Sequence, residues 1–311
     1  ASSTMYSILF SLPLALGDTL LDKYFCGKYY PPAGTQGLPP CHDVRSAVVS
    51  NLTRPLPTLE LGDASKPALF FVHGWPDSAA EFAAQFGGLC YGPDAIYRCV
   101  AVTWQNFHPD LPNSPDEDLE FAIAIDKVAA TMMEVDMVNT TLVIHDWGSF
   151  IGYQLMWKFP HLMQRTISFD IGSGGHPNTA YQKVNANGFL THNSAVTESV
   201  AAHYWWAPCV ECATWRTAWP YERYSGGYHS RPPATYPLLF IWGNMTRGQP
   251  RTADTKFFDE KWLDFVISTP HGKVVEGSGD HWIFHEKAQF VNHVMKQWLD
   301  QFSLRPQYRY R

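Results

Sequence analysis

Val143-Ile144-His145-Asp146-Trp147-Gly148-Ser149 sets an aspartate between a strand-like run and a helix-like one. An apolar, β-rich run, Thr140 to Ile144, leads into it, and a helix-like run, Phe150 to Phe159, leads out of it. A strand that turns sharply into a helix throws the tip residue outward at the carboxyl end of a sheet, where a substrate can meet it. The tip residue here is Asp146. A serine in that place would point to acyl transfer. A carboxylate instead displaces a leaving group from sp³ carbon and is left as an alkyl ester, which water must then hydrolyse. The alternative is that Asp146 only caps the following helix, a position aspartate favours.

Outward from this turn, short β-branched and aromatic runs alternate with helical stretches. The runs are Pro67 to Val72, Ile96 to Thr103, Thr140 to Ile144, Arg165 to Ile171, Pro237 to Trp242 and Lys273 to Val275. Such alternation predicts an α/β fold with a mostly parallel sheet flanked by helices. Apolar spacing predicts helices over Ser78 to Phe86, Asp116 to Met137 and Glu286 to Phe302. The rhythm breaks from Gly172 to Pro233, where His, Trp, Tyr, Asn and Pro dominate. That break predicts an inserted, mainly helical cap over residues 173–233, between core segments 1–172 and 234–311. The cluster Gly172-Ser173-Gly174-Gly175 lacks the spacing of a phosphate cradle and reads as a hinge or bend.

Two further turns align with the first. His73-Gly74-Trp75-Pro76-Asp77 follows the first strand, so the backbone N–H of Trp75 can join that of Trp147 in holding a developing oxyanion. Gly279-Asp280-His281-Trp282 lies after the last strand and before the closing helix, where this arrangement needs its general base; His281 fills that position.

In this order, His73-Gly74-Trp75-Pro76, His145-Asp146-Trp147-Gly148 and Asp280-His281-Trp282 resemble the oxyanion turn, nucleophile and histidine of the α/β-hydrolase-fold epoxide hydrolases. Haloalkane dehalogenases are close relatives of that family. The resemblance spans nearly all of the chain after about Lys66. It implies that Asp146 opens an epoxide, that His281 deprotonates water to cleave the ester, and that a second carboxylate orients the histidine. Many members carry that acid just past the strand Pro237 to Trp242, but Gly243-Asn244-Met245-Thr246-Arg247 offers no carboxylate and Asp254 lies too far along. The other family position, at the end of the preceding strand, holds Asp170. A second departure is Ile144, which stands where the fold usually has a small residue.

The family also polarises the ring oxygen with two cap phenols, which hydrogen-bond the oxygen and protonate the leaving alkoxide. The resemblance places them at Tyr181, in Tyr181-Gln182, and at Tyr221, in Trp219-Pro220-Tyr221, with Tyr224, Tyr204 and His192 in reserve. His145 is expected to be structural. The partners implied are a small apolar epoxide and water. No cofactor and no metal are expected, and the sequence has no HExxH spacing. A dehalogenase would use the same Asp146, His281 and acid but hold halide with indole or amide N–H groups such as that of Trp147. Such enzymes commonly have asparagine where Trp75 stands. A non-catalytic ligand-binding homologue would be expected to show a damaged triad.

The chain has 311 residues and a formal charge of -6, with 17% charged and 15% aromatic residues. This balance gives no electrostatic footprint for nucleic acid and points the aromatics to a core and an apolar pocket. The apolar stretch Met5 to Leu16 is interrupted by Ser7, Ser11 and Pro13 and is too short to span a bilayer. It reads as an element packed on the core, a peripheral membrane contact or a leader-like remnant. Six cysteines fall into three local pairs, Cys26 with Cys41, Cys90 with Cys99 and Cys209 with Cys212, which predicts disulfides. Sequons at Asn51, Asn139 and Asn244 point the same way, to glycosylation in the secretory pathway. The alternative is a cytoplasmic enzyme with free thiols. Cys209-Val-Glu-Cys212 lacks the second pair that a zinc site needs.

Overall fold

The strands form because runs of β-branched and aromatic residues lie where both faces of a sheet are covered. In chain order they are β1 (Val49–Asn51), β2 (Thr58–Leu61), β3 (Ala68–Val72), β4 (Arg98–Val102), β5 (Thr141–His145), β6 (Arg165–Phe169), β7 (Leu238–Gly243), β8 (Met245–Thr246), β9 (Gln249–Pro250) and β10 (Lys273–Gly277). This computed structural model describes residues 18–137, 139–172, 208–214, 216–223, 227–246 and 248–303. Among them, eight strands make one sheet in the order β1-β2-β4-β3-β5-β6-β7-β10, while β8 and β9 form a separate antiparallel pair. From β4 to β10 every neighbouring pair is parallel; β2 joins β4, and β1 joins β2, antiparallel.

Successive residues of a strand face opposite sides of the sheet, and the core divides accordingly. Leu69, Phe71, Val143, Ile167 and Ile241 belong to the core on one face, which Tyr29, Phe82, Phe86 and Trp298 complete. Phe70, Val72, Leu142, Ile144 and Phe240 belong to the core on the other, with Val128, Ile151, Leu155 and Trp262.

The helices are α1 (Cys41–Ala47), α2 (Ala83–Gln85), α3 (Phe121–Glu134), α4 (Trp147–Lys158), α5 (Trp219–Arg223), α6 (Glu260–Ser268), α7 (Ile283–Glu286) and α8 (Ala288–Ser303). The predicted Ser78 to Phe86 helix is a composite, with a 3₁₀ turn at Ala79–Phe82 before α2 and a π turn at Phe86–Cys90 after it. The predicted closing helix is interrupted at Lys287, whose φ of -123° and ψ of 43° separate α7 from α8. The six predicted strands are present. β1 and β2 add two more at the edge, and α6 adds a helix before β10.

Between β6 and β7 the chain makes its longest excursion. Its described parts include a 3₁₀ turn at Val210–Cys212 and α5. Most of the predicted cap, including Tyr181, His192 and Tyr204, lies outside the described residues, as do Tyr224 and the stretch Met5 to Leu16. Cys26–Cys41, Cys90–Cys99 and Cys209–Cys212 are joined as disulfides. Among the described residues no helix is long and apolar enough to cross a membrane.

Candidate active site

β5 ends at His145 and α4 begins at Trp147, so Asp146 alone makes the turn, with φ 50° and ψ -125°. A non-glycine residue rarely takes such a conformation, and it occurs here at the carboxyl end of a central parallel strand. Two glycines make the turn sterically possible. A Cβ on Gly74 would collide with the Asp146 side chain, so the turn bearing Trp75 can approach Asp146 only without one. A Cβ on Gly152, one turn into α4, would come within 2.6 Å of Ile144 Cγ2. That missing side chain accommodates the branched Ile144 where a small residue is usual.

Asp146 meets two of the predicted partners. The backbone N–H of Trp75 donates to its Oδ1 at 2.8 Å, and His281 Nε2 lies 3.4 Å from its Oδ2. Trp147 is the first residue of α4, where the helical ladder does not engage the N–H. The turn bearing Trp75 is fixed by His73, which donates from Nδ1 to the Gly74 carbonyl at 2.7 Å and accepts at Nε2 from the Trp104 N–H at 3.2 Å. These roles require a neutral ring. Burial lowers the pKa of His73 to about 3, consistent with that form.

His281 sits after β10, and its Nδ1–H donates to Asp170 Oδ2 at 2.6 Å. Asp170 follows β6 with φ 60°, its backbone N–H tied to the Ile241 carbonyl at 3.0 Å. The carboxylate predicted from the end of β6 and the histidine predicted from the last loop are therefore brought together. Side-chain exposure separates the two acids: Asp170 has 0% and Asp146 has 12%, so Asp146 is the one open to a substrate.

Electrostatics follow from this packing. Burial opposes ionisation of Asp146, but His281 and the Trp75 N–H outweigh it and hold the carboxyl below its usual range. Burial likewise opposes ionisation of Asp170, and the charge of Arg251, then His281, reverses it. For His281, burial favours the neutral ring, yet Asp146 and Asp170 together hold the imidazolium at about 9. In the free protein at neutral pH the constellation is a cation between two carboxylates.

Sequence reasoning missed two groups. Arg251, just after the β8–β9 pair, places Nη1 2.8 Å from both oxygens of Asp170. The segment after β7 thus supplies a cation to the acid instead of the acid itself. The only hint in the sequence is the lack of a carboxylate after Gly243. The second is Glu81, which lies behind Asp146 against His145, the histidine expected to be structural. His145 points Nε2 to the His281 carbonyl at 3.1 Å and Nδ1 to Glu81 Oε2 at 3.2 Å. A carbonyl only accepts, so in a neutral ring Nε2 carries the proton, Nδ1 accepts, and Glu81 is the protonated donor. Burial raises the carboxyl of Glu81 and lowers His145 to about 3, in keeping with a neutral pair. Asp77 lies beside Glu81 and accepts from Tyr29 and from Trp282 Nε1 at 2.7 Å.

Tyr221 is the predicted ring-polarising phenol within the described residues. Its ring packs edge-on against Trp75 at 5.2 Å and Trp147 at 4.8 Å between centroids. Trp219 anchors α5 by donating from Nε1 to the Gln105 carbonyl at 3.0 Å. The sequons are placed unequally. Asn51 accepts from Thr53 N at 3.0 Å, Asn139 accepts from Arg165 at 2.6 Å, and Asn244 donates to Glu276 at 2.7 Å.

No protein-family model matches the chain. Epoxide hydrolase 1 of Caenorhabditis elegans is 21% identical over 291 residues, covering 79% of this chain and 68% of that protein. Among solved structures, an epoxide hydrolase from Vigna radiata superposes with a TM-score of 0.61 at 14% identity, covering 82% of this chain and 99% of that one. A haloalkane dehalogenase from Bradyrhizobium elkani gives 0.60 at 16% identity, covering 82% and 98%. With its mostly parallel eight-stranded sheet and flanking helices, the chain has the α/β-hydrolase fold, in the form seen in epoxide hydrolases and haloalkane dehalogenases.

Proposed function

We propose that this protein hydrolyses an apolar epoxide to a vicinal diol through a covalent alkyl ester on Asp146. The observation that carries the reading is the pairing of Asp146 Oδ1 with the Trp75 N–H and of Oδ2 with His281, itself backed by Asp170. In the first step the Asp146 carboxylate attacks a ring carbon, the C–O bond breaks, and a phenol from the cap protonates the leaving alkoxide. Tyr221 has that role, joined by Tyr181, in a cap assigned to residues 173–233.

Esterification removes the charge of Asp146. His281 then faces one carboxylate instead of two, its pKa falls, and the neutral ring becomes available as a base. It takes a proton from water, and the resulting hydroxide attacks the ester carbonyl. The oxyanion forms beside the Trp75 and Trp147 amides; its collapse expels the alkoxide, which takes the proton back from His281 and leaves as the diol, while the proton of the re-formed Asp146 carboxyl returns to the cap phenolate. The first step thus prepares the base for the second.

The rings of Trp75, Trp147 and Tyr221 support an apolar substrate. A second reading, haloalkane dehalogenation, is favoured by the Trp147 indole packed beside Asp146, although Trp75 stands where such enzymes commonly have asparagine. Assaying one preparation against styrene oxide and 1-bromobutane separates them. Diol without bromide is expected. Bromide without diol would reassign the enzyme, and turnover of neither would favour a ligand-binding homologue.

The three disulfides favour an oxidising compartment, and we assign the protein to the secretory pathway. Non-reducing peptide mapping of protein from its natural source should find all three bridges. Six alkylatable thiols there would return it to the cytoplasm.

A further inference from the structure

We propose that Arg251 is a positioning residue for the hydrolytic half of the reaction, one that holds Asp170 against His281 and offsets part of the charge that carboxylate presents to the ring. The inference rests on the two-step reading above and extends it to a residue outside the triad.

The geometry is specific. Arg251 Nη1 contacts both Asp170 oxygens at 2.8 Å, and the guanidinium side chain is only 1% exposed. Its Nε donates to the Met245 carbonyl at 3.0 Å, and its backbone N–H donates to the Asn244 carbonyl at 2.8 Å. The hairpin β8–β9 is thus closed onto the arginine. Beyond it the chain returns to β6, where Ile171 bridges Phe257 and the Gly172 N–H donates to the Phe257 carbonyl at 3.1 Å. Phe257 in turn packs on the His281 ring, 4.9 Å between centroids. One short segment therefore braces the acid through its charge and the base through a ring.

A buried carboxylate without a cation would keep its full field on the neighbouring imidazole. Several other groups face His281. His145 lies 4.5 Å away between ring centroids and is neutral, and Glu81 behind it is held protonated. Asp280, beside it in the loop, is raised to about 7 by burial and by Glu286. Once Asp146 is esterified, Asp170 is the strongest anion left against the ring, and Arg251 is the buried cation that partners it. The base needed for ester hydrolysis is the neutral ring, so a cation behind Asp170 extends hydrolysis to lower pH.

The test is rapid-quench measurement of alkylation and ester hydrolysis separately, with styrene oxide, across pH, in wild type, Arg251→Gln and Arg251→Lys. Alkylation should persist in both variants. The midpoint of the hydrolysis–pH curve should rise by about one unit in Arg251→Gln, making hydrolysis about tenfold slower below that midpoint. Arg251→Lys, which keeps the cation, should restore most of the shift. A purely structural role would lower both steps and leave the midpoint in place, which would overturn the proposal. Arg251→Met, which also removes the cation, supplies a second check if Arg251→Gln does not fold: its hydrolysis midpoint should likewise rise by about one unit above that of wild type, and an unshifted midpoint counts against the offset. If wild type forms no ester at all, the two-step reading itself fails, an outcome distinct from an unshifted midpoint.

Discussion

Asp170 Oδ2 stands 2.6 Å from His281 Nδ1 across 111 residues of sequence. The contact turns the ring so that Nε2 faces Asp146 Oδ2, 3.4 Å away. Each nitrogen of the imidazole thus meets a carboxylate, one closed to solvent and one open to it. On the proposed mechanism the consequences divide between ester formation and ester hydrolysis.

His281→Gln should still be alkylated, because the attacking carboxylate is intact, but should release diol about 10² to 10⁴-fold more slowly. Intact-protein mass spectrometry during turnover should find the ester accumulated. Loss of alkylation with normal release would contradict the assigned role.

The same division predicts a pH effect in the wild type. Asp146 is held below its usual range, so it stays ionised and nucleophilic through mildly acidic pH. As the proposed base for ester hydrolysis, His281 must be neutral, and its neutral fraction falls as pH falls. Lowering pH should therefore slow the second step more than the first, and a burst of ester should grow from pH 8 toward about pH 5. A burst that shrinks toward acid would contradict His281 as the base of the second step.

Tyr221→Phe should lower turnover by about 10² while leaving the thermal midpoint nearly unchanged, because a donor near the developing alkoxide is lost and the ring is kept. The pair Tyr181→Phe and Tyr221→Phe should remove epoxide turnover. Unchanged kcat in both the single and double variants would place the ring-polarising donors elsewhere.

Glu81 offers a stability test. Glu81→Gln keeps a donor for His145 Nδ1 and should be close to wild type, whereas Glu81→Leu leaves that nitrogen unpaired at about 1–3 kcal/mol. Denaturant titration distinguishes them. Equal destabilisation by both substitutions would show that Glu81 is not the protonated donor.

Much of this site is legible in the sequence because strand ends are marked by local pattern. Asp146 and His281 stand beside glycine turns at the ends of apolar runs, and Asp170 follows another such run. The remainder depends on contacts that carry no local signal. Arg251 lies just past a polar hairpin, 81 residues from the carboxylate it binds. Tyr29 reaches Asp77 across 48 residues, and His145 reaches the His281 carbonyl across 136. The edge strands are hidden for other reasons. β1 is three residues long with Val49 exposed, while β2 contains Glu60, an acid matched by Arg54 and Arg98.

The bridges should contribute unequally to stability. Cys26–Cys41 spans 15 residues, Cys90–Cys99 nine and Cys209–Cys212 three. Replacing the first pair with alanine should lower stability most, by about 3 kcal/mol on a chain-entropy account, and the last pair least. Thermal unfolding of the three double variants checks the order; the largest loss from Cys209 and Cys212 would refute it.

Ester formation on Asp146 is tested by a single turnover of excess enzyme with styrene oxide in ¹⁸O-labelled water, followed by peptide mass spectrometry. Attack of water on the ester carbonyl predicts one ¹⁸O in the peptide containing Asp146 and none in the first diol released. Label in that diol, with an unlabelled Asp146 peptide, would mean that water opens the epoxide directly, and the covalent account would be wrong.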